Sequence, residues 1–373
     1  MKSIFFLLNL ILFFSIGCTA SNVDETIGGG QTHTLKMEIL AEGLVNPWSI
    51  AFLPDGRLLI TERPGNLRIF ADGNLSDPVQ GLPPIWVNGQ GGLLEVALHP
   101  DFDQNGWIYL AYASSDDGQN GNTAIGRGRL QGNKLVDFER IFRGNPLTSL
   151  SYHFGCRIVF DDQNRLYFPI GDRGEMHNAQ KLNFHNGKLM RIHDDGSVPA
   201  DNPFVGQAEA MPEIYNYGHR NIQGMAIHPE TKQIWTHEHG PKGGDEINIE
   251  KPGANYGWPI VSFGINYDGS ILTPDTTLPG ITNPIHYWVP SIAPCGMCFV
   301  TSDKYPNWRN NLLVTSLAGQ HIQRLVFEGE NVVEMEKLFQ DYSRFRDIRQ
   351  GPDGFLYVLT EGPGRLIKLV PQE

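Results

Sequence analysis

The chain is short of positive charge. Its 373 residues carry 29 lysines and arginines against 41 aspartates and glutamates, a net charge of −12, and the basic residues do not cluster. Proteins that read a phosphate backbone need basic patches, so nucleic acid is excluded as a partner. Cysteine is scarce as well, with four residues, at 18, 156, 295 and 298. Cys295-Gly-Met-Cys298 has the spacing of a zinc or redox pair, but no second such pair accompanies it, which excludes four-cysteine zinc. No Cys-x-x-Cys-His is present, so no haem is attached covalently. Cys156, Cys295 and Cys298 read as small buried residues; a strained local disulfide in an oxidising compartment is the alternative. The apolar run at residues 4–14 is too short to cross a bilayer.

That run follows Met1-Lys2-Ser3 and reads as a secretory signal. Ser15-Ile16-Gly17-Cys18 then resembles a bacterial lipobox, with Ser15 where leucine is usual. In that reading Cys18 is lipidated and becomes the new N-terminus; ordinary signal cleavage near Ala20 is the alternative. Residues 19–37 read as a flexible tether, and residues 38–373 as one domain outside the cytoplasm. The expected location is the bacterial periplasm, or the outer membrane through a lipid anchor.

What the chain has in abundance is turns and β-period runs. Its 42 glycines and 25 prolines, with 40% hydrophobic residues, suit a turn-rich β-protein. One phrase recurs: an apolar run, a turn of Pro, Asp, Gly or Asn, and a second apolar run. Its copies lie at 49–61, 94–110, 156–167, 224–235 and 347–358, with a looser copy at 296–314. Each reads as a β-hairpin. Six copies at this spacing predict an all-β fold, a six-bladed β-propeller. Function then belongs in the loops between copies.

Several loop residues could carry chemistry. His153 stands just before the third hairpin; a histidine there projects into a channel or is merely structural. Arg344 and Arg346 point to one face of a strand, and two guanidiniums on one face ask for an anion between them. Either a polyanionic small ligand supplies it or Asp341 or Asp347 does. Gly240-Pro241 followed by Asp245-Glu246 is either a turn or a set of oxygen ligands of the kind calcium prefers, to which the segment 255–258 could add a carbonyl.

Taken in order, these segments change the reading. Pro47-Trp48, Leu53-Pro-Asp-Gly56, Gly89-Gln90-Gly-Gly-Leu-Leu94, His99-Pro-Asp-Phe102, Gly171-Asp172, Gly218-His-Arg-Asn221, Gly240-Pro241, Asp245-Glu-Ile-Asn248, Asn255-Tyr-Gly-Trp-Pro259, Ser291-Ile-Ala-Pro294 and Arg344-Phe-Arg-Asp347 together resemble the glucose/sorbosone dehydrogenase family over roughly residues 38–370. Members are quinoprotein aldose dehydrogenases that use pyrroloquinoline quinone (PQQ) and calcium. The resemblance implies oxidation of an aldose at its anomeric carbon to a lactone, with electrons passing to an external acceptor. It implies His153 as general base and Arg220 as stabiliser of charge on the reduced cofactor. It places Gln90, Arg220, Asn221, Arg344 and Arg346 on the quinone. The carbonyls of Gly240 and Pro241 fall on the calcium that touches PQQ, and Glu246 and the Tyr256 carbonyl on a further structural calcium. One position departs: Ala318 stands where a lysine contacting PQQ is expected, and His321 or Arg324 could supply some of that charge. A calcium-dependent propeller lactonase and a non-catalytic, envelope-tethered binding propeller are the alternatives; the first needs several metal-facing carboxylates or asparagines and has no use for Arg344 and Arg346 together.

Overall fold

A computed structural model of the chain describes residues 35–372. The signal-like segment, Cys18 and most of the expected tether lie outside the described residues. The first strand begins at Leu35, three residues before the domain start expected at 38, so residues 35–37 are strand rather than tether.

Six antiparallel sheets of four strands each make the six blades. Every recurrent phrase is the first and second strand of one blade. Pro47–Phe52 with Leu58–Glu62 opens blade one, Leu93–Leu98 with Trp107–Ser115 blade two, and Val159–Phe160 with Leu166–Ile170 blade three. Ile222–Ile227 with Ile234–Glu238 opens blade four, Pro294–Phe299 with Leu312–Ser316 blade five, and Phe345–Gln350 with Leu356–Glu361 blade six. In the first hairpin Ile50 faces Ile60 and Phe52 faces Leu58. Leu53 and Arg57 close its turn with a 2.8 Å hydrogen bond, and Gly56 takes the left-handed conformation at φ 89°, which a glycine adopts without penalty. The fifth phrase is looser because its two strands are 12 residues apart, and Tyr305 and Trp308 of that connection are buried between blades five and six.

The N-terminal strand closes the ring. Leu35–Glu42 pairs with Gly364–Pro371 as the outermost strand of blade six, Met37 opposite Leu369 and Ile39 opposite Ile367. Closure leaves no blade without neighbours on both sides. The apolar core accordingly falls into six clusters, one at each junction between adjacent blades. Burial of these faces is what holds the blades together.

First strands of neighbouring blades touch around the axis. Midway along it lies a layer of charge. Arg157 pairs with Glu95 at 2.8 Å and with Asp347 at 3.0 Å, and Arg349 pairs with Glu95 at 2.7 Å and with Asp347 at 3.0 Å. Two guanidiniums and two carboxylates from blades two, three and six thus neutralise one another. This layer separates the two ends of the channel.

Candidate active site

In an antiparallel hairpin, the start of the first strand and the end of the second lie at the same end of the sheet. The residues entering and leaving each hairpin therefore meet at one end of the channel. They enclose a cavity of about 310 Å³ lined by Trp48 and Arg63 of blade one, Gln90 before blade two, Phe154 before blade three, Asn221 and His239 of blade four, Leu317 of blade five, and Arg344, Arg346 and Glu361 of blade six. That volume suits a small ligand.

His153 stands at its rim. Its backbone N–H donates to Gln90 Oε1 at 2.9 Å, and its Nδ1 lies 2.7 Å from Asp172 Oδ1. Asp172 also accepts from the Trp258 indole at 2.8 Å and from the Gly174 N–H at 2.8 Å. Burial pushes the His153 pKa below its ordinary 6.5, with help from the Arg220 charge and against the pull of Asp172. For Asp172 burial works upward, yet the hydrogen bond and charge of His153 hold it below the usual carboxylate value. The histidine is therefore neutral and the aspartate ionised at neutral pH. The proton sits on Nδ1, and Nε2 keeps its lone pair. No described residue hydrogen-bonds to Nε2.

The loop carrying His153 is rigid for identifiable reasons. Arg173 donates to the carbonyls of Leu150 and Tyr152 and lies 3.5 Å over the Phe154 ring. Gly171 permits the close approach of the two segments, since a Cβ there would come within 2.3 Å of the His153 carbonyl. Trp258 reaches Asp172 from the long connection after blade four's third strand. Gln180 anchors that connection, donating to Asn255 Oδ1 at 2.9 Å and to the Trp258 carbonyl at 2.7 Å.

Arg220 and Asn221 are set by Glu238, whose Oε2 accepts from their backbone N–H groups at 2.6 Å and 3.3 Å. The Arg220 side chain donates to the His239 carbonyl at 3.1 Å and lies over Trp258. Asn221 Oδ1 accepts from the Gly155 N–H. Burial alone would depress His219, but Glu250 and Glu238 on either side override it and raise its pKa to about 10. An imidazolium is thus built in beneath this turn.

The paired arginines have a neutraliser, and it is neither Asp341 nor Asp347. Asp347 is taken by Arg157 and Arg349 in the charge layer. Glu361 instead accepts from Arg346 Nε at 2.7 Å, from its Nη2, and from Arg344 Nε at 3.3 Å. Burial opposes ionisation of Glu361, but Arg346 and Arg344 hold its pKa below the ordinary value. Two cations share one anion, which leaves a net positive charge. The sources expected to make up the charge missing at Ala318 do not do so. Ala318 is exposed, His321 bonds to the Gly319 carbonyl at 2.7 Å, and Arg324 is held by Glu336 at 2.7 Å and by Glu334.

The segment 240–246 is both turn and oxygen source. Asp245 is structural: its Oδ1 accepts from the Gly240 N–H at 2.9 Å, and its Oδ2 from Ser291 Oγ at 2.6 Å and the Ile292 N–H at 2.8 Å. Gly240, Glu246 and Tyr256 border one small cavity together with Glu238 and Arg220, so residues of both expected calcium sites meet there. Among the described residues the carbonyls of Gly240, Pro241 and Tyr256 accept no hydrogen bond, and the buried Asn248 Oδ1 has no partner. Burial and the neighbouring Glu238 charge push Glu246 up to about 8. An all-oxygen set with repelling carboxylates fits a hard divalent cation. No three His, Cys, Asp or Glu side chains group as metal ligands among the described residues.

Cys156, Cys295 and Cys298 are free and buried, as expected of structural residues, the latter two in the strand Pro294–Phe299. Cys295 Sγ accepts from Arg346 at 2.9 Å. The sequence reading did not single out Arg63, His239, Glu361 or Glu238. They lie at the far ends of second strands, where no local pattern distinguishes a channel-facing residue from a solvent-facing one.

Residues 44–368 match the family described as Glucose / Sorbosone dehydrogenase. A protein of Escherichia coli named aldose sugar dehydrogenase YliI is 43% identical over 347 residues, which cover 91% of this chain and 94% of that protein. A solved structure of a glucose dehydrogenase superposes with a TM-score of 0.88 at 45% identity, covering 90% of this chain and 99% of that one. The PQQ-bound form of an aldose sugar dehydrogenase from Streptomyces coelicolor superposes with a TM-score of 0.74 at 26% identity, covering 91% and 98%.

Proposed function

This chain belongs to the glucose/sorbosone dehydrogenase family, and we propose that it oxidises aldose sugars at the anomeric carbon to lactones by hydride transfer to PQQ, with His153 as general base. The observation that carries this reading is the neutral His153, oriented by an ionised Asp172, at the rim of a cationic cavity. The similarity to a PQQ-bound aldose sugar dehydrogenase supports the choice of cofactor. When bound, PQQ and calcium would supply an electrophilic ortho-quinone carbonyl polarised by a Lewis acid.

The protein's own residues do the rest. Nε2 of His153 takes the proton of the anomeric hydroxyl, while Asp172 keeps the ring in the right tautomer and steadies the imidazolium that forms. Arg344 and Arg346 bind carboxylates of the quinone, their residual positive charge fitting a polyanion. Gln90 and Asn221 line the same cavity and position the cofactor. Arg220 offers its guanidinium to the negative charge that develops on reduction. The carbonyls of Gly240 and Pro241 would hold the calcium beside the cofactor, and Glu246 with the Tyr256 carbonyl a structural calcium. With no haem attached, electrons leave to an external acceptor. The segment 1–18 supports export and anchoring through a lipid on Cys18. No helix among the described residues is long and apolar enough to cross a membrane.

The test is reduction of an artificial electron acceptor by the purified protein with a panel of aldoses, with and without PQQ and calcium. Activity with aldoses only when PQQ and calcium are both present is the expected result. Aldose oxidation without PQQ, or PQQ bound without turnover of any aldose, would overturn the reading.

A further inference from the structure

The cavity holds three arginines but one carboxylate. Arg344 and Arg346 share Glu361, so that group of three offers a single net positive charge. Arg63 stands on the neighbouring blade, just past the second strand of blade one, and it too lines the cavity. Among the described residues it has no carboxylate partner; its Nη1 donates only to the Gly89 carbonyl. Its backbone is fixed by the hydrogen bonds of its N–H to Asn46 O at 3.0 Å and of its carbonyl to the Leu93 N–H at 3.1 Å. A guanidinium on a fixed backbone, with one of its five donors used, is equipped to accept a carboxylate.

We propose that Arg63 is a second anion-binding group of this cavity, taking a carboxylate of the bound quinone on the blade-one side, separate from the Glu361-shared pair of Arg344 and Arg346. The inference rests on the proposed function, because PQQ carries three carboxylates and the Glu361-shared pair leaves one net positive charge to meet them. Arg63 doubles that charge. It is also the group that the other candidates cannot supply, since His321 and Arg324 are occupied elsewhere. Its contact with Gly89, the residue before Gln90, further ties the charge to the loop that receives the His153 N–H.

The experiment is an equilibrium titration of the full-length protein with PQQ in the presence of calcium, followed by tryptophan fluorescence at several salt concentrations. Arg63→Gln, Arg63→Lys and Arg57→Gln are compared with the parent protein; Arg57 is an exposed arginine paired with Asp55, so its variant makes the same charge change at a distance. Removing one charge-assisted contact should weaken binding about ten- to a hundredfold in Arg63→Gln and make binding less sensitive to salt. Arg63→Lys should recover part of the loss, and Arg57→Gln should bind as the parent does. Unchanged binding in Arg63→Gln, or equal weakening in Arg57→Gln, would overturn the proposal. So would weakening with undiminished salt sensitivity, which would mark Arg63 as only a support for the Gly89 loop. Failure of the parent to bind PQQ at all would instead remove the functional reading on which the proposal stands.

Discussion

The two ends of the channel are made from the same six hairpins and differ in almost everything else. At one end the first strand turns into the second, in most blades through short, recurrent turns such as Pro54-Asp55-Gly56, and the mouth is lined largely by apolar residues: Ile50, Ala97, Ile158, Met225 and Met297 among others. At the other end the strands are entered and left by loops of unequal length, and there the arginines, His153, Asp172 and the unpaired carbonyls gather. Between them the Glu95, Arg157, Asp347 and Arg349 layer closes the axis. The regular end is where the repeat shows itself; the irregular end is where each blade contributes a different group. A rigid scaffold lets the second vary while the first stays the same.

The sharpest way to break this comparison is at the layer between the ends. Arg157→Met would leave Glu95 and Asp347 to share Arg349 alone. Losing one partner of a buried ionic network should cost about 3–5 kcal/mol of stability, read as a shift in the denaturant midpoint at unchanged slope. A shift no larger than that of a surface substitution would mean that the layer is not holding the blades. At the irregular end, His153→Ala should reduce kcat by about a hundredfold or more with PQQ affinity retained. Turnover surviving that change would remove His153 from the base role.

Two pH dependences sharpen the contrast within the site. Since His153 must be neutral and its pKa is depressed, kcat/KM should be flat at neutral pH and fall only on the acid side, with an inflection below 6.5. An inflection above 6.5 would contradict the geometry. His219 behaves in the opposite sense. Its folded pKa is raised to about 10 from an ordinary 6.5, so its contribution to stability is complete below 6.5 and is lost as pH rises through 10. The difference in stability between the parent and His219→Gln should therefore shrink over that interval, as followed by denaturant unfolding at a series of pH values. The smallest effect belongs to the regular end. Gly56→Ala forces a Cβ into a left-handed turn with open space around it and should cost about 1 kcal/mol, leaving kcat/KM within about twofold of the parent. A larger loss of activity would mean that the two ends are coupled through the layer.

How far the site was legible depended on where each residue lies. His153, Arg220, Asn221, Arg344 and Arg346 sit beside recognisable hairpins, and the structure brings them to one end of one channel. The arginine pair left open a polyanionic ligand or a carboxylate nearby in sequence, Asp341 or Asp347, and the carboxylate that meets it is neither of these. Asp347 follows Arg346 directly, so in a strand its side chain points to the opposite face and joins the axial layer. Glu361 lies 15 residues from Arg346, yet only the hairpin register brings them together. Likewise the partners of Arg324, Glu334 and Glu336, lie across a strand pair, while His321 turns back to the Gly319 carbonyl.

By itself the sequence determined the all-β class and the six hairpins, because apolar periodicity and turn chemistry are local and repeat; its ordered motifs carried the family resemblance, and with it Gln90, Asn221, Arg344 and Arg346 of the cavity lining. Only the tertiary structure decided which charges cancel, which arginine remains without a carboxylate, how Trp258 and Asp172 hold His153, and which carbonyls are left without donors. Those depend on contacts between blades that are distant in the chain, and closure of the ring, not any local pattern, sets which side chains face one another.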